Sequence, residues 1–170
     1  MRIELDNLEK SGEFAQAYRP GELTLDDTEL RLVGPAEIHG RYRKNGEEVE
    51  LRGRLSATVE APCARCLKPV ELPLAAELSE RFVGAVSWRD EEQHELREED
   101  LNLAVFNGEA IELDDLAREE ILLAMPAQVL CREDCRGLCA TCGADRNLDS
   151  CDCEALDIDS RWGALKDLRF

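Results

Sequence analysis

Aromatic side chains are scarce: four Phe, two Tyr and two Trp, 5% of 170 residues. A core built almost without them must come from Leu, Val, Ile and Ala. Histidine is scarcer still, with only His39 and His94. Neither stands beside a candidate nucleophile, so Ser-His-Asp and Cys-His arrangements have no support. No Gly-rich phosphate loop occurs, and no catalytic role or small-molecule substrate is expected. No apolar run reaches the ~18 residues of a transmembrane helix, so no membrane role is expected either. The opening Met1-Arg2-Ile3-Glu4-Leu5-Asp6 lacks the apolar core of a secretory signal, which points to a reducing, cytoplasmic setting. Positive charge is in deficit. Lys and Arg number 21 and Asp and Glu 38, a net charge of −17. That excess repels phosphate backbones and disfavours a simple basic-face nucleic-acid binder, leaving room for a local positive patch. It suits a basic protein partner at least as well.

What the chain does have is alternation, acid and cysteine. From Val49 the apolar residues Val49, Leu51, Leu55, Ala57, Val59 and Ala61 fall on every second position, with Gly53 the one gap. Period two is the mark of a strand with one buried face. Upstream, Ala36, Ile38, Gly40 and Tyr42 alternate in the same way, and Asn45-Gly46 between the two runs is a strong hairpin signal as the central pair of a turn. Val70, Leu72, Leu74, Ala76, Leu78 and then Phe82 predict a third strand. Pro73 places that strand at an edge or gives it a bulge, because it cannot donate a ladder hydrogen bond. The three form an antiparallel meander, to which Leu30–Val33 and the first residues add short strands.

Residues 88–120 carry thirteen acids against Arg89, Arg97 and Arg118. Such a run reads first as a solvated face. Within it, Leu103–Phe106, Asn107-Gly108 and Ala110–Leu113 predict a short hairpin. Asp114 or Asp115 then caps a helix that Pro126 ends, with Leu113, Leu116, Ile121 and Leu123 packing it onto the sheet. In the tail, Ile158, Trp162, Leu165 and Leu168 fall at roughly helical spacing after a cap at Asp159 or Ser160, which predicts a second short helix.

Six of the eight cysteines crowd into Cys131–Cys153. The apolar residues among them, Leu138, Ala140, Ala144 and Leu148, cannot offset the entropy of ordering such a segment. In a reducing compartment, cysteines at these spacings read as metal ligands before disulfides. Cys139-Ala140-Thr141-Cys142-Gly143 has the form of a zinc knuckle, in which a following glycine takes positive φ and lets backbone N–H groups point at the sulfurs. Zinc needs four ligands, and Cys131/Cys135 and Cys151/Cys153 both offer the missing pair. About one structural Zn2+ per chain is expected, held by four of Cys131, Cys135, Cys139, Cys142, Cys151 and Cys153. An iron–sulfur cluster is the main rival, although the ferredoxin run is absent. Cys63-Ala64-Arg65-Cys66 stands in the connection between two strands. It is half of a second four-thiolate site, a metal-free structural or functional pair beside the positive Arg65 and Lys68, or a thiol redox pair outside its usual βαβ context.

Cys63-Ala64-Arg65-Cys66-Leu67, the Leu130–Cys139 segment, Cys142-Gly143-Ala144-Asp145-Arg146-Asn147-Leu148, Cys151-Asp152-Cys153 and the Asp159–Leu165 tail together resemble the YceD-like family of large ribosomal RNA subunit accumulation proteins of bacteria and plastids. The resemblance implies a small non-catalytic ribosome-biogenesis factor needed for normal amounts of the large-subunit (23S) ribosomal RNA. Ala140 and Ser160 stand where the family commonly has Pro, and neither removes a ligand. The net charge favours a large-subunit ribosomal or assembly protein as partner. The alternative is direct rRNA contact through Arg41, Arg43, Lys44, Arg52, Arg54, Arg65 and Lys68, because Arg52 and Arg54 share one strand face and could meet consecutive phosphates. The expected fold is α+β: an antiparallel sheet with one or two packed helices in residues 1–126, a cysteine-rich zinc motif in 127–156 and a short helix or tail in 157–170.

Overall fold

A computed structural model gives the fold, and it describes residues 2–4, 8–25, 29–46, 48–85, 103–106, 110–153 and 161. The chain divides into two compact units. The first comprises Met1–Ala61 with Val70–Ala127, and the second Pro62–Pro69 with Gln128–Phe170. Among the described residues there are eight strands and one helix. The strands are β1 (Arg2–Glu4), β2 (Ser11–Tyr18), β3 (Arg31–Leu32), β4 (Ala36–Asn45), β5 (Glu48–Pro62), β6 (Pro69–Gly84), β7 (Leu103–Phe106) and β8 (Ala110–Glu112), and the helix is α1 (Leu113–Leu123). The main sheet has the order β2-β4-β5-β6-β7, with β3 pairing β5, and β1 pairs with β8 separately.

The meander expected from alternation is present as β4, β5 and β6. Ala36, Ile38, Val49, Leu51, Leu55, Ala57, Val59 and Ala61 are all buried, as period two requires. The gap at Gly53 has a steric reason. Gly53 lies directly opposite Gly40, and a Cβ on either would run into the backbone of the other strand, at the Arg52 oxygen or the His39 oxygen. The turn differs by one residue from expectation. Asn45 pairs with Glu48, so Gly46, with φ +65°, is the first of two connecting residues and Asn45 ends its strand. In β6 the alternation holds through Leu74 and Leu78 and then changes phase, because Val83 is buried and Phe82 is not. Pro73 is accommodated because β7 meets β6 only at Arg81–Gly84.

The hairpin expected over 103–113 does not form. β7 runs parallel to β6, Arg81 against Leu103, while β8 runs antiparallel to β1, Ile111 against Ile3. Two runs this short gain more by completing existing sheets than by pairing with each other. α1 follows β8 directly. Its N-cap is Glu112, with no side-chain cap bond, so Asp114 and Asp115 lie within the first turn. There they still meet the positive end of the helix dipole. Leu113, Leu116, Ala117 and Ile121 are buried, whereas Leu123, expected in the core, is 78% exposed. Tyr18 in β2 donates to Asp114 Oδ1 at 2.8 Å, and Arg118 Nε donates to the Thr24 carbonyl at 2.8 Å. The second helix expected over 157–170, apart from Arg161, and 88–102 and 107–109 of the acidic run lie outside the described residues. No helix among the described residues is long and apolar enough to cross a membrane.

Candidate metal centres

The described residues of the second unit hold no ordinary core. Among its described residues the buried hydrophobic side chains are Cys63, Cys66, Cys135, Cys139 and Val129. Two tight turns of the same design organise the thiols. In Cys139–Ala144 the Gly143 amide donates to the Cys139 carbonyl at 2.8 Å, the Cys139 amide donates to the Ala144 carbonyl at 2.8 Å, and Gly143 has φ +74°. In Cys63–Lys68 the Leu67 amide donates to the Cys63 carbonyl at 2.9 Å, the Cys63 amide donates to the Lys68 carbonyl at 2.8 Å, and Leu67 has φ +60°. The first turn was expected from its glycine. The second is its structural equal, with leucine where glycine would be easier.

Each turn is completed by a second pair of cysteines. Cys63, Cys66, Cys131 and Cys135 form one group and Cys139, Cys142, Cys151 and Cys153 another, with the sulfurs in each within 4.8 Å of one another. A tetrahedral ion with metal–sulfur bonds of ~2.3 Å sets its sulfurs about 3.8 Å apart. The sulfurs of Cys63 and Cys135 are 3.9 Å apart and those of Cys66 and Cys131 3.6 Å. A disulfide would need ~2.05 Å, and all eight thiols are free. The residues therefore fit a four-thiolate metal ion at each place. Both pairs that the sequence offered to the knuckle are used, Cys151/Cys153 with it and Cys131/Cys135 with Cys63/Cys66.

The electrostatics follow from crowding. Backbone amides of Cys131 and Arg65 pull the Cys63 thiol down to about 6, and those of Cys142 and Thr141 pull Cys139 down to about 6. Cys131 is pushed up to about 12, by loss of water and then by the Cys135 and Cys66 thiols. Cys153 rises to about 12, through its side-chain hydrogen bond with Cys142 first and then by loss of water. In each group one thiol ionises readily and one resists. Four thiolates this close repel, and a divalent cation removes that conflict.

Arg65 and Lys68, considered as nucleic-acid contacts, are employed inside this unit. Arg65 donates to the Cys135 carbonyl at 2.8 Å, and its own carbonyl accepts from the Leu138 amide at 3.0 Å. Lys68 pairs with Asp145 at 2.7 Å. Arg52 and Arg54 belong to β5 in the first unit. The sequence had not singled out Asn147. Its side-chain amide donates to Cys135 Sγ at 3.5 Å, and its oxygen accepts from the Arg136 amide at 2.8 Å. Asn147 belongs to the loop between Cys142 and Cys151, so one side chain serves the loop of one group and a sulfur of the other. The spacing Asp145-x-Asn147 is the available signal, since such residues bond to nearby backbone.

The family model described as large ribosomal RNA subunit accumulation protein YceD matches residues 51–169. The chain is 26% identical to the uncharacterized protein YlbN of Bacillus subtilis over 160 residues, 94% of this chain and 88% of that one. It is 31% identical to the uncharacterized protein Rv2926c of Mycobacterium tuberculosis over 151 residues, 89% of this chain and 70% of that one. No solved structure matches.

Proposed function

We propose that this chain, which belongs to the YceD family of large ribosomal RNA subunit accumulation proteins, is a non-catalytic cytoplasmic factor supporting the synthesis, processing or stability of the large-subunit ribosomal RNA. The observation that carries this reading is the family match over 51–169, which takes in all eight cysteines. Each group of four thiols would hold one structural Zn2+: Cys63, Cys66, Cys131 and Cys135 the first, Cys139, Cys142, Cys151 and Cys153 the second. Zinc is favoured over an iron–sulfur cluster by the knuckle turns and the absent ferredoxin spacing. Such an ion supplies folding energy, and four thiolates leave no open position for substrate or water. A thiol redox enzyme using Cys63 and Cys66 is disfavoured, because each of those sulfurs stands beside a C-terminal cysteine sulfur. The partner favoured by a charge of −17 is a basic ribosomal or assembly protein, met through the acidic run 88–120.

The test has two readouts. Elemental analysis of freshly made reduced protein should give close to two zinc ions per chain, one for each group. Cys63→Ser and Cys139→Ser should each remove one. In cells lacking the protein, the ratio of large- to small-subunit rRNA should fall and the wild-type chain should restore it. A normal ratio without the chain refutes the function, and iron in place of zinc refutes the ion. Changing Glu91, Glu92, Glu95, Glu98 and Glu99 to Gln should weaken capture of nuclease-resistant partners with zinc content unchanged. Undiminished capture removes the acidic run as the contact.

A further inference from the structure

We infer that the solvent face of the main sheet is a docking groove for the sugar–phosphate backbone of RNA, gripped by Arg41, Arg43, Arg52 and Arg54. The groove has a volume of about 1040 Å3, and these four arginines and His39 line it together with Glu13, Glu50 and the backbones of Gly12, Gly40 and Gly53. The ladder places the arginines. Arg41 lies directly opposite Arg52, with His39 opposite Arg54 and Arg43 opposite Glu50. Paired residues share a face, so all four guanidinium groups rise from the side opposite Ile38, Leu51 and Leu55, which are buried.

Like charges directly opposite each other destabilise a sheet, yet Arg41 faces Arg52. The acids nearby compensate weakly. Arg41 pairs with Glu13 at 3.4 Å and Arg54 with Glu77 at 3.4 Å, and these side chains are 73–83% exposed. Arg52 is held more closely, with Nε at 2.7 Å and Nη2 both on Oε1 of the half-buried Glu50. The exposed pairs at Arg41 and Arg54 contribute little and can give way to a polyanion. Four arginines are gathered in one groove of a chain with net charge −17, and that concentration needs an anionic occupant.

RNA is that occupant because of the spacing. Along a strand, residues on one face repeat every ~6.7 Å and neighbouring strands lie ~4.8 Å apart. Arg41 and Arg43 on one strand and Arg52 and Arg54 on the next thus form two parallel rows. Their step is comparable to that between successive phosphates, and the planar fork of arginine matches phosphate oxygens two at a time. This inference rests on the rRNA role proposed above and adds a contact on a segment separate from 88–120.

The experiment is fluorescence anisotropy of the zinc-loaded full chain with labelled single-stranded poly(U), across a salt series, with polyglutamate as the competing polyanion. Wild-type log affinity should fall with log salt at ~0.7 per phosphate contact, approaching ~3 for four contacts. Arg41→Ala with Arg52→Ala should weaken binding about tenfold and lower the slope by ~1.4. Arg41→Lys with Arg52→Lys should keep the slope. Both positions are exposed, so unchanged zinc content and melting are expected. Double-alanine binding equal to wild type overturns the inference, and so does polyglutamate competing as well as RNA, which would make this a site for an acidic protein. If the groove variants behave as wild type while loss of the chain still lowers large-subunit rRNA, the groove fails and the proposed function stands. If loss of the chain changes no rRNA while poly(U) binding depends on the arginines, the reverse holds.

Discussion

Leu67 is 65% exposed and carries a φ of +60°, a conformation that costs a non-glycine residue roughly 1–2 kcal/mol. Nothing in its own packing repays that. The repayment lies in the neighbouring sulfurs, because positive φ at this point closes the turn that sets Cys63 and Cys66 side by side. Leu67→Val should therefore weaken the first centre by about 1–2 kcal/mol, since a branched Cβ is poorly tolerated at positive φ. Leu67→Gly should leave it equal or better, the relief being partly offset by the ~0.5–1 kcal/mol entropy cost of glycine. Zinc retention against a chromogenic chelator measures both, and equal retention by the two variants would show that the backbone is unstrained there. The same residue explains what the sequence disclosed at this scale. Gly143 made the Cys139–Ala144 turn legible, because glycine is the usual occupant of positive φ. Leucine carries no such signal, so Cys63-x2-Cys66 could be read three ways until its turn was seen to repeat the other. The choice of partner pairs was not legible either, since spacing alone permitted both and only the path of the chain between Cys131 and Cys153 decides.

At the level of elements, β5 was readable because each of its inward residues is aliphatic and each outward one polar or charged. Gly53, its one irregularity, is also its most constrained point. Gly40→Ala would push a methyl against the Arg52 carbonyl and Gly53 Cα. Backbone cannot yield as a side chain can, so a loss at the upper end of the ~1–3 kcal/mol typical of overpacking is expected. A melt of the first unit measures it, and a loss under half a kcal/mol would mean that the strands part at no cost. The hairpin over 103–113 was misread for the opposite reason. Asn107-Gly108 is a local signal, and β7 and β8 are four and three residues long. Local preference over so few residues is weak, and distant partners, Arg81–Gly84 for β7 and Arg2–Glu4 for β8, decided the pairing. The exposed Leu123 is a smaller case, because helical spacing gave a face but not where the face ends.

Across the whole molecule, stability has two separate sources, and pH should distinguish them. In the first unit burial and the Asp114 hydrogen bond hold the Tyr18 phenol well above its ordinary value of 10.0. A raised value gives stability that is present below that ordinary value and lost as pH climbs past it, so alkali should loosen the first unit. In the second unit Lys68 holds the Asp145 carboxyl down at about 2, against 3.8 ordinarily. A depressed value gives stability that is present above 3.8 and lost as pH falls towards about 2. Protons would also compete with the proposed metal for Cys63 and Cys139, each at about 6, so the second unit should begin to yield earlier on the acid side, as that metal leaves. Chelation at neutral pH isolates this dependence. The first unit buries Ile38, Leu51, Leu55, Leu113 and Ile121 almost completely, and aliphatic burial needs no ion. Among its described residues the second unit buries four cysteines and Val129, and without metal that set cannot offset the entropy of ordering the backbone of 62–69 and 128–153. On adding a strong chelator, hydrogen exchange should accelerate across 62–69 and 128–153 while the amides of β4 and β5 up to Ala61 keep their protection. If sheet protection is lost at the same rate, the first unit does not fold on its own core. If protection survives in both segments, the cysteine groups are held without metal and the structural role proposed for zinc is wrong.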